Sequence, residues 1–158
     1  SFHVTGVQTC ALPIFLTRQD VPVLAGSTDH DAVTRGAYVL ADPDGEPDVV
    51  LIGTGSEVAV ALDAAATLTA AGHSVRVVSM PCTELFAEQA DGYRASVLPA
   101  GIPTVSVEAG VTFGWARWAD TSIGIDRFGT SAPGEQAMTG LGITPAAVVA
   151  ATESLLGT

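Results

Sequence analysis

The stretch 48–79, DVVLIGTGSEVAVALDAAATLTAAGHSVRVVS, limits the possible folds of this chain more than any other. Val49, Val50, Leu51 and Ile52 are apolar without alternation. A strand of that kind is buried on both faces, as in a parallel sheet covered by helices. Gly53 and Gly55 allow a tight turn without a Cβ clash. Ser56 reads as the N-cap of a helix, and Glu57 sits where the helix start favours negative charge. Val58, Ala61, Leu62, Ala65 and Leu68 recur at helical spacing, so one stripe faces inward. Gly72 is placed to end that helix, and Val75, Val77 and Val78 open a second buried strand. The unit is β-α-β, and its crossover should be right-handed.

The turn at Gly53 has a sharper reading, a nucleotide site. A dinucleotide fingerprint needs G-x-G-x-x-G after a strand. Here Gly53 and Gly55 fill the first two places, but Val58 fills the third, and Glu57 at the helix start repels phosphate. The turn therefore reads as a tight strand-to-helix connection.

With 158 residues the chain is long enough for one domain with a real core. Its 47% hydrophobic and 15% charged content marks a globular protein. Net charge is -11, with six arginines and no lysine, which disfavours nucleic acid and anionic membrane as partners. Each apolar run reads as shorter than a membrane span. Cys10 and Cys82 show no metal or redox spacing, so a reduced, cytoplasmic setting is expected.

Residues 1–14, SFHVTGVQTCALPI, have no period and no cap or turn logic. They resemble read-through of sequencing adapter and are set aside from the fold, the alternative being a genuine linker or strand. The native chain is expected to continue upstream. Residues 15–19 suit the end of a strand, and 20–31 read as a linker containing a solvated His30. Ala37–Leu40 form a short strand, followed by an Asp42-Pro-Asp-Gly45 turn suited to an antiparallel neighbour or a sharp reversal.

After the β-α-β unit, Thr83 and Asp91 can cap two short helices, and Thr104–Val107 form a strand. Phe113, Trp115 and Trp118 fall on a helix, Ser122–Asp126 make the last strand, and residues 133–141 form a short helix. Thr144-Pro145 starts the final helix, its apolar face carrying Val148, Val149, Thr152, Leu155 and Leu156 before Gly157 stops it. About five strands alternating with helices give an α/β domain of three layers.

The residues that carry chemistry are few. Glu108 and Asp126 end successive strands, where carboxylates either line a crevice or cap backbone turns. Cys82 reads as a small buried or half-buried side chain, and His73 as a surface residue beside a turn. Trp115 and Trp118 share a face that suits core packing or a domain interface equally well. No nucleophilic triad, metal cluster or phosphate loop is complete.

Four strings, PDVVLIGTGSEV, VRVVSMPCTELFAEQADGYRASVLP, VSVEAGVTFGW and IGIDRFGTSAP, resemble the carboxyl-terminal domain of transketolase in order and separation. Sister thiamine-diphosphate enzymes, including deoxyxylulose-phosphate synthase and the pyruvate dehydrogenase beta subunit, share that fold. They do not usually carry SMP…ELF…Q…YR.SVLP.

The resemblance implies a three-layer α/β/α domain around a mixed five-stranded sheet of order 1-3-2-4-5, with strand 1 antiparallel. It implies residues 15–32 as the end of an upstream domain plus linker, and 33–158 as the terminal domain. It also implies a homodimeric cytoplasmic enzyme of the pentose phosphate pathway and Calvin cycle that moves a two-carbon ketol unit between sugar phosphates. Thiamine diphosphate and Mg would be held by upstream domains, so no catalytic, cofactor or metal residue maps to this chain, and the fragment is expected to be inactive alone.

One substrate contact does map. Leu16-Thr17-Arg18-Gln19 matches the string whose arginine binds the sugar phosphate in the family, which assigns that role to Arg18. The competing readings are the same domain of a sister enzyme and a free-standing ligand-binding or regulatory α/β module.

Overall fold

A computed structural model describes residues 20–24 and 30–158. Arg18 and residues 1–14 lie outside the described residues. The chain enters through a short helix α1 (His30–Thr34) and strand β1 (Tyr38–Ala41). β2 (Val49–Gly53), α2 (Glu57–Ala70) and β3 (Val75–Ser79) follow as the expected β-α-β unit. Two short helices, α3 (Thr83–Ala87) and α4 (Asp91–Val97), lead to β4 (Thr104–Val107). A 3-10 helix (Thr112–Arg117), β5 (Thr121–Ile123), α5 (Gly134–Leu141) and α6 (Pro145–Leu156) complete the fold.

The sheet runs β1-β3-β2-β4-β5, with β1 antiparallel to β3 and the other pairings parallel. This is the mixed five-stranded order that the resemblance implied. β2 explains itself from its sequence, since all five of its residues are buried. Val49 and Leu51 point into one core with Ala61, Leu68 and Val148 of α2 and α6. Val50 and Ile52 point into the other with Phe86, Val97 and Trp115 of α3, α4 and the 3-10 helix. An unbroken apolar run fits a strand covered on both sides.

α2 ends as Gly72 predicts. Gly72 adopts φ +100, His73 N–H donates to Leu68 O at 3.1 Å and Gly72 N–H to Thr69 O at 3.0 Å. That pair of bonds is a Schellman cap. His73 sits half-buried in this turn. α6 begins as read: the Thr144 hydroxyl accepts the Ala147 N–H at 3.2 Å, with Pro145 in the first turn.

Several local expectations are corrected. Ser56 does not cap α2 through its side chain; its hydroxyl donates to Glu57 Oε1 at 2.6 Å instead. Thr83 and Asp91 lie inside their helices, with Cys82 and Ala90 in the cap positions. The turn after β1 stands as read: β1 has an antiparallel neighbour, β3, which lies between it and β2.

The expected helix here is the 3-10 helix Thr112–Arg117, with Trp118 as its C-cap, and its aromatic residues split in direction. Trp115 and Trp118 pack on the Phe86 cluster while Phe113 faces out. The last strand stops at Ile123, so Asp126 is in a loop. The first strand begins at Tyr38 rather than Ala37 because Gly36, at φ +84, still belongs to the turn.

The stretch 134–156 has the length and mean hydropathy, 1.3, of a membrane span, against the sequence expectation. Gly142, at φ +86, and the Thr144-Pro145 start divide it into helices of 8 and 12 residues, each too short to cross a bilayer.

Two contacts hold the edge strand. Arg76 on β3 grips Asp42 with two bonds of 2.7 and 2.9 Å and donates to Ser96 O at 2.7 Å. Gly36 fits because it has no side chain: a Cβ there would lie 2.4 Å from both Cys82 O and Phe86 N. Gly36→Ala is therefore expected to lower stability by about 1–3 kcal/mol from backbone strain alone, with the collision adding to it. Gly55→Ala, at φ +56 but with nothing within 4 Å, carries only the strain. Urea unfolding of the two variants checks this; equal midpoints would show that the close approach at Gly36 relaxes freely.

Candidate functional site

The parallel register brings Gly53, Ser79, Val107 and Ile123 to one edge of the sheet. β2 leads to β3 on one side, and the chain then crosses to β4 on the other side of β2. The winding therefore switches between β2 and β4, where open α/β sheets form ligand crevices.

In this chain the switch point is stitched shut. Glu57, 6% exposed at the start of α2, accepts the Ala109 N–H through Oε2 at 3.2 Å and the Ser56 hydroxyl through Oε1. The space beside Gly53 is filled by Val58, whose Cα lies 2.8 Å from where a Cβ would be. A phosphate needs free N–H donors at a helix start. Here a carboxylate occupies that place and takes a donor from the facing loop. The geometry thus agrees with the tight-turn reading.

Beside this tie lies a cavity of about 300 Å³, lined by Thr54, Cys82, Glu84, Glu108, Val111 and Trp115 among others. Glu108 is half-buried and accepts the Trp115 indole N–H at 2.7 Å. Glu84 is exposed, and its carboxyl is held below the usual range by its own backbone N–H, then by the Thr83 hydroxyl and the Cys82 thiol. Cys82 is half-buried, as its sequence setting suggested, with Sγ 3.5 Å from Glu84 Oε2. The carboxylates of this edge are thus occupied as acceptors within the fold. Among the described residues no group of His, Cys, Asp and Glu could hold a metal ion.

Asp126 does not join Glu108 in a crevice. It accepts the Thr112 N–H at 2.8 Å and the Thr112 hydroxyl at 2.7 Å, tying the loop after β5 to the loop after β4. Ile125 N–H adds a bond to Gly110 O at 2.7 Å. Gly124 packs so closely that a Cβ would meet Thr112 Cγ2 at 2.6 Å and Gly110 O at 2.7 Å.

The Thr112 backbone N–H, then its hydroxyl, holds the Asp126 carboxyl below its ordinary value. A depressed folded pKa contributes stability above the unfolded value, and that contribution is lost as pH falls through the folded value. Asp126→Asn should therefore melt below the parent at neutral pH, with the gap closing in acid, below the ordinary carboxylate range. Thermal melts across pH check this; a gap independent of pH would show that the charge is not what ties the loops.

A larger groove of about 710 Å³ opens at the opposite edge, near Leu98, Pro103 and Trp118. Two of its charged groups are already committed, Arg94 to Asp91 and Ala87 O and Asp120 to the Thr104 N–H, and Arg117 lies over the Trp118 ring. It is not the switch-point crevice, and we give it no role in the chemistry.

Sequence reasoning missed the Glu57–Ala109 tie. Glu57 was legible as a helix-start charge, but its partner is 52 residues away. Arg18, the one substrate contact carried by the resemblance, lies outside the described residues.

A five-stranded mixed sheet of this order, covered on both faces by helices and with a closed switch point, defines an open, doubly wound α/β domain. A family profile described as "Transketolase-like TK C-terminal domain" matches residues 36–144, so the chain belongs to the transketolase family. It is 49% identical over 150 residues to "Transketolase 7" of Craterostigma plantagineum, covering 90% of this chain and 22% of that protein. It is 44% identical to a transketolase of Rhodobacter capsulatus, with 89% and 22% covered. The solved transketolase from Leishmania mexicana superposes with a TM-score of 0.84 at 44% identity, covering 89% of this chain and 20% of that one. The chain spans about a fifth of the length of these relatives.

Proposed function

We propose that this chain is the structural, dimer-supporting terminal domain of a homodimeric cytoplasmic transketolase. The intact enzyme would transfer a two-carbon ketol unit from a ketose phosphate to an aldose phosphate, in the pentose phosphate pathway and the Calvin cycle. The observation that carries this reading is the family match over 36–144 in a chain one fifth the length of its relatives.

Thiamine diphosphate would supply the carrier for the two-carbon unit, with Mg on its diphosphate. The crevice of this domain does not fit that group, because Glu57 stands at the helix start and already holds the Ala109 N–H. The cofactor would be held upstream, and no step of the reaction is assigned to the described residues. Arg18 would bind the sugar phosphate from the end of the preceding domain. Residues 1–14 would lie outside the native domain, with 15–32 as the upstream end and linker and 33–158 as the terminal domain.

The test joins this sequence, from Phe15, behind the upstream region of the Rhodobacter capsulatus transketolase. The joined protein should transfer ketol units between sugar phosphates, and the 158-residue chain alone should not. Calorimetric titration of the lone chain with thiamine diphosphate and magnesium should show no heat of binding; micromolar affinity would place the cofactor here and overturn the reading.

A further inference from the structure

The exposed large hydrophobic side chains of this domain share one edge. Val21, Val23 and Val33 belong to the entering segment and α1. Val21 and Val33 line a cavity with Gly55, Ser79 and Pro81, which places that segment against the carboxyl ends of β2 and β3. Leu85 lies on α3, just past β3. Val111 and Phe113 follow β4, exposed by 62% and 89%, and Phe128 follows β5, exposed by 97%. Among the described residues no large hydrophobic is exposed at the amino edge of the sheet or on α2, α4, α5 and α6.

The two phenylalanines flank a braced pair of loops. Phe113 adjoins Thr112 and Phe128 lies two residues past Asp126, and Thr112 and Asp126 are joined by two hydrogen bonds. The close packing of Gly124 on Gly110 and Thr112 joins the same loops. A braced pair of loops carrying exposed aromatic side chains is the kind of surface that marks an interface, where aromatics are enriched.

We propose that this carboxyl edge is the face by which the domain docks on the upstream region of its own polypeptide. The proposal rests on the terminal-domain reading above and assigns it a surface. Two observations choose this occupant over a second copy of the chain. The linker enters at the same edge, since β1 begins at Tyr38 opposite Ser79, the last residue of β3. About four fifths of the relatives' length is also unaccounted for by this chain, and it matches their C-terminal domain. A short linker attached at an edge holds the preceding region near that edge at high effective concentration.

Hydroxyl-radical footprinting tests it on the 158-residue chain alone and on the protein joined behind the Rhodobacter capsulatus upstream region. In the joined protein Phe113 and Phe128 should oxidise roughly tenfold more slowly, as expected for side chains moved from water into an interface core. Leu98 and Ile102, at the opposite edge, should react at unchanged rates. Unchanged rates at Phe113 and Phe128 in an active joined protein would overturn the docking face while leaving the terminal-domain reading intact. Protection of both in the lone chain, growing with concentration, would make a second copy the occupant and also overturn it. In a joined protein without ketol transfer the reading above fails, and the footprint still decides the docking face by the same criterion.

Discussion

Leu51→Asp is expected to abolish the folded state. Leu51 is fully buried in the middle of β2, paired with Val77 of β3 and Val105 of β4. Its side chain enters the cluster formed with α2 and α6, whose buried members are all apolar. The buried polar side chain of α6, Thr152, already gives its hydroxyl proton to Val148 O, and burying an unpaired charge or the neutral acid costs several kcal/mol. That is on the order of the whole stability of a domain this size, ~5–15 kcal/mol.

Val50→Asp, one residue earlier, should be destabilising but less so. Val50 faces the opposite cluster, and its register partner on β3 is Arg76, on the same face of the sheet. An aspartate at 50 can compete for that guanidinium, which is now committed to Asp42 and Ser96 O. Circular dichroism melts of the two variants provide the measurement. A native-like transition for Leu51→Asp would show that β2 is not the centre of the sheet, and a smaller loss there than at Val50 would reverse the assignment of faces.

That contrast shows what the sequence could and could not reveal. The burial of β2 on both faces was legible because it is local: four consecutive aliphatic residues leave no polar side. The helix stop at Gly72 and the start at Thr144-Pro145 were legible for the same reason, since each is written within a few residues. The strand order came from the resemblance to a family, not from periodicity, because nothing in a run of valines says which strand lies beside it.

The errors fall where distant residues decide. Ser56 has the chemistry of a cap, but Glu57 draws its hydroxyl away, and Glu57 is itself fixed by Ala109 from across the switch point. Asp126 looked like the end of a strand, yet Thr112 captures it and the strand stops at Ile123. Trp115 and Trp118 were read as sharing a face that suits core packing or an interface equally, and their packing on the Phe86 cluster, which decides for the core, depends on residues about 30 positions away. Of the candidate site, the tight turn at Gly53 and the helix-start charge of Glu57 were legible, because both are local. That its central carboxylate acts as a stitch required the fold.

The remaining large effect concerns the intact enzyme. Arg18→Ala, made in this sequence joined behind its upstream region, should raise KM for phosphorylated sugars by about ten- to a hundredfold. The estimate follows from a charge-assisted hydrogen bond to phosphate, worth roughly 1.5–3 kcal/mol. A phosphate at the far end of the substrate is equally charged before and during transfer of the two-carbon unit. The contact is then made alike in ground and transition states, and losing such uniform binding raises KM more than it lowers kcat.

The change should be small for glycolaldehyde, an acceptor without phosphate. Lysine at 18 should recover part of the loss, since it restores the charge but not the paired donors of a guanidinium. Steady-state kinetics with the two acceptors decides the matter. Equal losses for both would mean that Arg18 supports the fold or the linker, and the phosphate would then need another partner.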